Sequence, residues 1–201
     1  LEAALRERLF EPLGITDMAF TMTPSMQARR ATRHIRAADG QVTAAPDLVL
    51  PQNPELDLGG AALYSTVGDY LALVRLILND GMGPQGRVLK AETVRALAQN
   101  GLGELKSGGW TTTVPMYANN GEFFPGVSKS WAYTFQVVDE DAPTGRAAGS
   151  LSWAGLSNVY YWIDRKSGIG GMWATQLLPF MDIASYPGFV EFETLLYRHH
   201  R

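Results

Sequence analysis

The chain has 201 residues, 46% apolar and 18% charged, with 17 basic against 20 acidic side chains and a net charge of −3. That length supports one domain, or one and a third at roughly 150 residues each, with a core that needs no staples. The composition excludes a disordered tail, no apolar run nears the ~18 residues of a membrane span, the basic excess of nucleic-acid binders is missing, and the lack of cysteine removes disulfides, thiolate nucleophiles and cysteine-based zinc sites.

Leu1 to Phe10 reads as a helix in progress. Leu1, Leu5 and Leu9 recur every four residues, with Glu2, Arg6, Glu7 and Arg8 between them. No N-cap residue, initiator Met or signal-peptide pattern opens it. Such a start reads either as an arbitrary boundary or as the second part of a longer protein. Pro12 and Gly14 are expected to stop this helix. Residues 15 to 58 hold no sustained period and carry Pro24, Pro46, Pro51 and Pro54. They read as a long loop region with short strands, a length that tends to serve function or wrap a surface. Arg29, Arg30, Arg33 and Arg36 surround His34 there without a glycine-rich cradle, so local ion pairs or a solvated face explain them better than a phosphate site.

Ser65 or Thr66 supplies N-cap chemistry and Asp69 suits the positive helix end. Tyr70, Leu73, Val74, Ile77 and Leu78 follow at helical spacing until Gly81. A second helix is expected from about Lys90 to Gln99, ended by Gly101 and Gly103. The period then changes to two. Trp131, Tyr133, Phe135 and Val137 alternate with smaller or polar residues, which predicts a half-buried strand. Further strands are expected at 146–153, 159–163 and 169–176, with Asp164 to Gly168 as a turn. A closing helix follows, with Pro187 in its first turn and Phe189, Phe192 and Leu196 on one face. Short connections imply an antiparallel meander, and segregated helices and strands give an α+β class. The expected division is a helical region with the long excursion at 1–105, and the sheet with its closing helix at 106–201.

Few residues carry recognisable chemistry. The three histidines stand apart or at the C-terminus, and no His-Glu-x-x-His, phosphate loop, dinucleotide fingerprint or Gly-x-Ser-x-Gly elbow is present. Gly149 to Asn158 ends one strand and turns into the next, and its small residues at 154 and 155 let a ligand approach the backbone. Taken alone, the segment reads better as a plain hairpin.

Several segments in order resemble the C-terminal part of the serine β-lactamase and penicillin-binding-protein superfamily, closest to the family VIII carboxylesterases and class C β-lactamase-like hydrolases. They are Arg8 to Asp17, Gly59 to Tyr70, Ser152-Trp153-Ala154-Gly155, Tyr161 to Asp164, and Thr175-Gln176. The resemblance implies a β-lactamase/transpeptidase-like fold, an antiparallel sheet flanked by helices, here without the N-terminal strands and nucleophile helix. It implies a serine of a Ser-x-x-Lys motif attacking an acyl carbonyl, a lysine and a tyrosine handling the proton, and a covalent acyl-enzyme. Trp153-Ala154-Gly155 falls where the family carries Lys-Thr-Gly. By that resemblance Ser152, Trp153, Ala154 and Gly155 line the substrate site, and the Leu156 backbone N–H is one oxyanion donor. Trp153 in place of lysine removes a cation for a substrate carboxylate and adds an apolar wall, which favours a neutral ester.

The four lysines, Lys90, Lys106, Lys129 and Lys166, follow Arg87, Gly103, Gly126 and Ile163 by three positions, so no Ser-x-x-Lys exists. Tyr117-Ala118-Asn119 lies far from the family's place for a Tyr-x-Asn element and reads as chance. Nucleophile and general base are therefore expected upstream of Leu1, on an N-terminal segment or chain of the same protein, which also leaves a sheet edge or face exposed for it. The implied partners are that segment and a small ester or acyl substrate, with no metal, cofactor, nucleic acid or membrane. Localisation stays open. Two alternatives stand beside this: an inert ligand- or peptide-binding member of the superfamily, or an unrelated α+β domain with a groove of Trp110, Trp131, Trp153 and Tyr161.

Overall fold

The computed structural model describes residues 1–200. The chain opens with α1 (Glu2–Leu5), a π-helical turn (Arg6–Phe10) and α2 (Glu11–Leu13), which run on as one rod. The rod passes through Pro12, contrary to the expected stop, and ends where Gly14 adopts a left-handed φ of 70°. Pro12 sits within the first two positions of α2, directly after the wider π turn. A proline is tolerated in a first turn because its missing donor has no required acceptor there.

The excursion is more ordered than its proline content predicts. It contains β1 (Met18–Ala19), α3 (Pro24–Arg29), β2 (His34–Arg36) and β3 (Val42–Ala44). Thr23 caps α3 by accepting from the Met26 N–H at 3.2 Å, with Pro24 in the first turn. Two of the four arginines make ion pairs, Arg29 locally with Asp17 at 2.8 Å and Arg36 with the distant Asp182 at 2.5 Å, while Arg30 donates to the Pro46 carbonyl.

β4 (Tyr64–Ser65) pairs with β1 and leads into α4 (Val67–Leu78), capped by Thr66, which accepts from the Asp69 N–H at 3.1 Å. A small hairpin, β5 (Met82–Gly83) and β6 (Gly86–Arg87), precedes α5 (Ala91–Leu97). The expected single strand over 131–137 is instead two strands, β7 (Lys129–Trp131) and β8 (Gln136–Val138). Ala132 N–H donates to the Phe135 carbonyl across a tight turn, and Tyr133 at its tip is 77% exposed. The alternation of aromatics belongs to the two arms of a hairpin. The strand expected at 146–153 starts later, as β9 (Leu151–Gly155), because Gly145 and Gly149 take left-handed turns before it. β10 (Val159–Asp164), β11 (Ile169–Trp173), β12 (Leu177–Leu178) and α6 (Ser185–His199) complete the chain.

The main sheet is antiparallel, in the order β11-β10-β9-β8-β7. α4 covers one face, where Val74 and Ile77 pack on Val137, Leu151 and Ile163. α6 covers the other, with the Phe189 ring stacked on Tyr160 at 4.8 Å and Trp162 beside it. Its most buried stripe is Phe189, Glu193 and Tyr197; of the expected face Phe189 is buried, Leu196 packs beside that core, and Phe192, 38% exposed, reaches Trp162 and Trp173 from the rim. Gly170 and Gly171 of β11 permit both contacts. A Cβ on Gly170 would stand 2.5 Å from Val74, and one on Gly171 2.2 Å from the Trp162 ring. β12 runs parallel to β2, which in turn pairs with β3, and this second sheet ties the excursion to the segment after β11. The outer edge of β11 makes no backbone hydrogen bond among the described residues. No described helix is long and apolar enough to cross a membrane.

Candidate active site

β9 is longer than its neighbour β8. Leu151 and Ser152 pair with Val137 and Gln136 on that side, and there the pairing stops. On the other side β9 continues in register with β10 through Trp153, Ala154 and Gly155, opposite Tyr161, Tyr160 and Val159. Trp153-Ala154-Gly155 is thus an overhang, paired along one edge and open along the other. Such an edge presents backbone groups to a ligand. Ser152 lies one step inside and is buried, while Trp153 is 36% and Leu156 52% exposed. Among the described residues the Leu156 N–H has no hydrogen-bond acceptor.

Aromatic rings wall the overhang. The Trp131 ring meets Trp153 edge-on at 4.4 Å, and Phe123 approaches Trp153 at 5.9 Å. The remaining members of the expected aromatic groove are core. Trp110 packs on Phe123 and Phe180, and its ring N–H donates to the Asn119 carbonyl at 3.0 Å. Tyr161 packs on Tyr70 at 5.1 Å. Only Trp131 and Trp153 of the four come together at the overhang.

The turn after Gly155 is held from behind. Asn158 is fully buried at a left-handed φ of 56°. Its amide donates to the Leu177 and Pro179 carbonyls, both at 2.8 Å. Its side-chain oxygen accepts from the Tyr160 hydroxyl at 2.6 Å and the Asp182 N–H at 3.0 Å. The Asp182 carboxylate caps the start of α6 by accepting from the Ala184 and Ser185 N–H groups. The motif reading stopped at Leu156 and missed Asn158. An asparagine in the short turn after Gly155, a residue type that tolerates φ > 0, was the available signal.

Burial by itself would raise the Asp182 carboxyl, but the Arg36 hydrogen bond and the two N–H donors outweigh it and hold the group below the ordinary aspartate range. A depressed carboxyl contributes stability that is complete above its unfolded pKa, about 3.9, and lost as pH falls through the lower folded value. We expect the thermal midpoint to drop less steeply in Asp182→Asn than in the parent as pH is lowered below about 4. Parallel slopes across that range would contradict the role given to Asp182.

No described side chain has the setting of the missing base. Lys129 is buried, and its ammonium donates to Glu122 and to the Phe124 and Val127 carbonyls. Lys106 is bound to Asp139. Burial pushes the Tyr70, Tyr160 and Tyr161 phenols up, away from phenolate at neutral pH. Tyr117-Ala118-Asn119 is structural: the Tyr117 carbonyl accepts from Phe180 N–H, and the Asn119 amide donates to the Met181 carbonyl at 3.1 Å. Among the described residues no group of three or more His, Asp or Glu is placed to hold a metal.

An antiparallel sheet with a helix on each face is the arrangement of the serine β-lactamase/transpeptidase-like class of fold. The sequence signature described as Beta-lactamase matches residues 1–188, and the chain belongs to that family. It is 30% identical over 191 residues to the monacolin J acid methylbutanoyltransferase of Aspergillus terreus, covering 90% of this chain and 45% of that enzyme. It is 26% identical to the lovastatin esterase of Penicillium rubens, over 86% of this chain and 44% of the esterase. Among solved structures, unliganded simvastatin synthase of Aspergillus terreus superposes with a TM-score of 0.78 at 26% identity, over 100% of this chain and 50% of that one. EstCE1, a hydrolase with promiscuous acyltransferase activity, shares the fold, with a TM-score of 0.66 at 18% identity over 98% of this chain and 50% of that one. The chain spans about half the length of the curated relatives it matches.

Proposed function

We propose that these residues form one side of an acyl-transferring active site, part of a serine esterase or acyltransferase that works through an acyl-enzyme. The observation that carries this is the overhang: Trp153, Ala154 and Gly155 with an open strand edge, followed by a Leu156 N–H that no group among the described residues accepts. In this reading the substrate carbonyl lies beside that edge and Leu156 N–H stabilises the developing oxyanion. Trp153, braced by Trp131, offers an apolar wall to a neutral ester or acyl group. The relatives include a methylbutanoyltransferase and an esterase, so hydrolysis and acyl transfer differ here only in whether water or an alcohol takes the acyl group from the enzyme.

The 201 residues contain no Ser-x-x-Lys. The nucleophile and general base in this reading belong to another segment of the same protein, and the unpaired outer edge of β11 is a surface fit to receive it. A second reading, an inert acyl-ligand binder, is favoured by that same missing motif. Labelling of the whole protein with a fluorophosphonate probe, followed by peptide mapping, separates them. The expected result is one labelled serine outside residues 1–201. No labelling, together with retained binding of an acyl ligand, would establish the inert binder instead.

A further inference from the structure

The turn that carries the Leu156 N–H is clamped at each of its other two residues. Thr175 Oγ1 donates to the Ser157 carbonyl at 2.7 Å and lies 3.2 Å from that of Asn158, and Leu177 N–H also reaches the Ser157 carbonyl. The Asn158 side chain uses all four of its hydrogen-bonding positions, two donated and two accepted, on three separate stretches: β10 through Tyr160, the 177–179 segment, and Asp182 before α6. Leu156 alone in the turn has an N–H with no acceptor among the described residues, and its side chain is exposed. A turn held this firmly behind one unpaired donor is more than a hairpin closing on itself, because Gly155 and Val159 already close it in register.

We infer that Asn158 is a positioning residue for the acyl-transfer step. It locks the 156–158 turn to the 177–182 segment, so that the Leu156 N–H stays aimed at the place where the oxyanion forms. The inference rests on the reading of Leu156 as an oxyanion donor. The physical basis is preorganisation: a donor held in place before reaction needs no reordering as charge develops, and a misplacement of about 1 Å can cost on the order of 100-fold in rate.

Asparagine suits the position for two reasons. It tolerates the left-handed backbone, and its planar amide supplies donors and acceptor together. Aspartate has the same shape but sets an oxygen against the Leu177 and Pro179 carbonyls. Glycine keeps the backbone conformation and deletes the clamp.

The test uses the whole enzyme with a neutral aryl ester. Asn158→Gly is expected to lower kcat by about 10- to 100-fold with KM within about threefold of the parent. Its affinity for a phosphonate analogue of the tetrahedral state should fall in step with kcat, and the Leu156 amide resonance in ¹⁵N-leucine-labelled protein should broaden. Thr175→Val, a smaller lesion of the same clamp, should show the same pattern at lower amplitude, and it carries the test if Asn158→Gly does not fold. A lowered thermal midpoint with kcat and the Leu156 resonance unchanged would overturn the inference and leave Asn158 a purely structural residue. Failure of the underlying reading looks different: deletion of the Leu156 N–H itself would then leave kcat intact.

Discussion

On the role proposed for Leu156, deleting its N–H is expected to lower kcat of the whole protein by about 10²- to 10³-fold, the usual loss for one oxyanion donor. Leu156→Pro removes the donor and Leu156→Ala retains it, so the two variants separate the backbone from the side chain. The proline breaks no hydrogen bond among the described residues, because the Leu156 N–H makes none there. An amide-to-ester exchange at Leu156 deletes the N–H while keeping the shape, and it should reproduce the proline result. KM is expected to change little in either case, since an oxyanion donor acts on the transition state rather than on the bound ester. Leu156→Ala is expected to keep kcat within a few-fold, because it retains the N–H and truncates only an exposed side chain. Full activity in both the proline and ester forms would remove Leu156 from the mechanism.

How far this site was legible in the sequence differs from residue to residue. Trp153-Ala154-Gly155 stood out only through the order of the segments around it, and that order led to the correct family. The local signals were weaker. The alternation at 131–137 has the period of one strand, yet Tyr133 sits at a turn, and the pairing of Trp131 with Gln136 puts Trp131 and Val137 on opposite faces, so the period runs in the sequence but not along one face. Pro12 looked like a stop, but a proline stops a helix only where its missing donor was needed. The overhang of β9 depends on where β8 ends, a matter of pairing between strands some 15 residues apart, and no local pattern states it. Asn158 is the clearest case. Its role comes from four partners on three separate stretches, so its meaning exists only after the chain has folded.

A second large effect belongs to the far end of α6. Arg146 and Glu193 form an ion pair at 2.9 Å with side-chain exposures of 1% and 0%. The guanidinium also lies over the Phe124 ring at 4.7 Å, and the Thr144 hydroxyl donates to the Glu193 carboxylate. Burial drives the two groups in opposite directions, the Glu193 carboxyl up and the Arg146 guanidinium down, and each partner opposes the shift of the other. The pair is not fully satisfied: among the described residues Arg146 Nε and Nη1 and Glu193 Oε2 make no hydrogen bond of good geometry. Arg146→Met alone therefore leaves a buried carboxylate without its counter-charge and should cost about 3–5 kcal/mol in urea unfolding. Replacing both, Arg146→Met with Glu193→Leu, removes the desolvation of both charges and should recover most of that loss. The expected result is thus a double variant clearly more stable than the Arg146→Met single, with strong coupling in the cycle. Additive losses would mean that the two side chains act as independent packing groups. The consequence reaches the site through α6 itself, whose first turn is capped by Asp182, the residue whose N–H Asn158 accepts. A loosened C-terminal half of α6 should lower stability first, and leave kcat near the parent value for as long as that capped first turn holds.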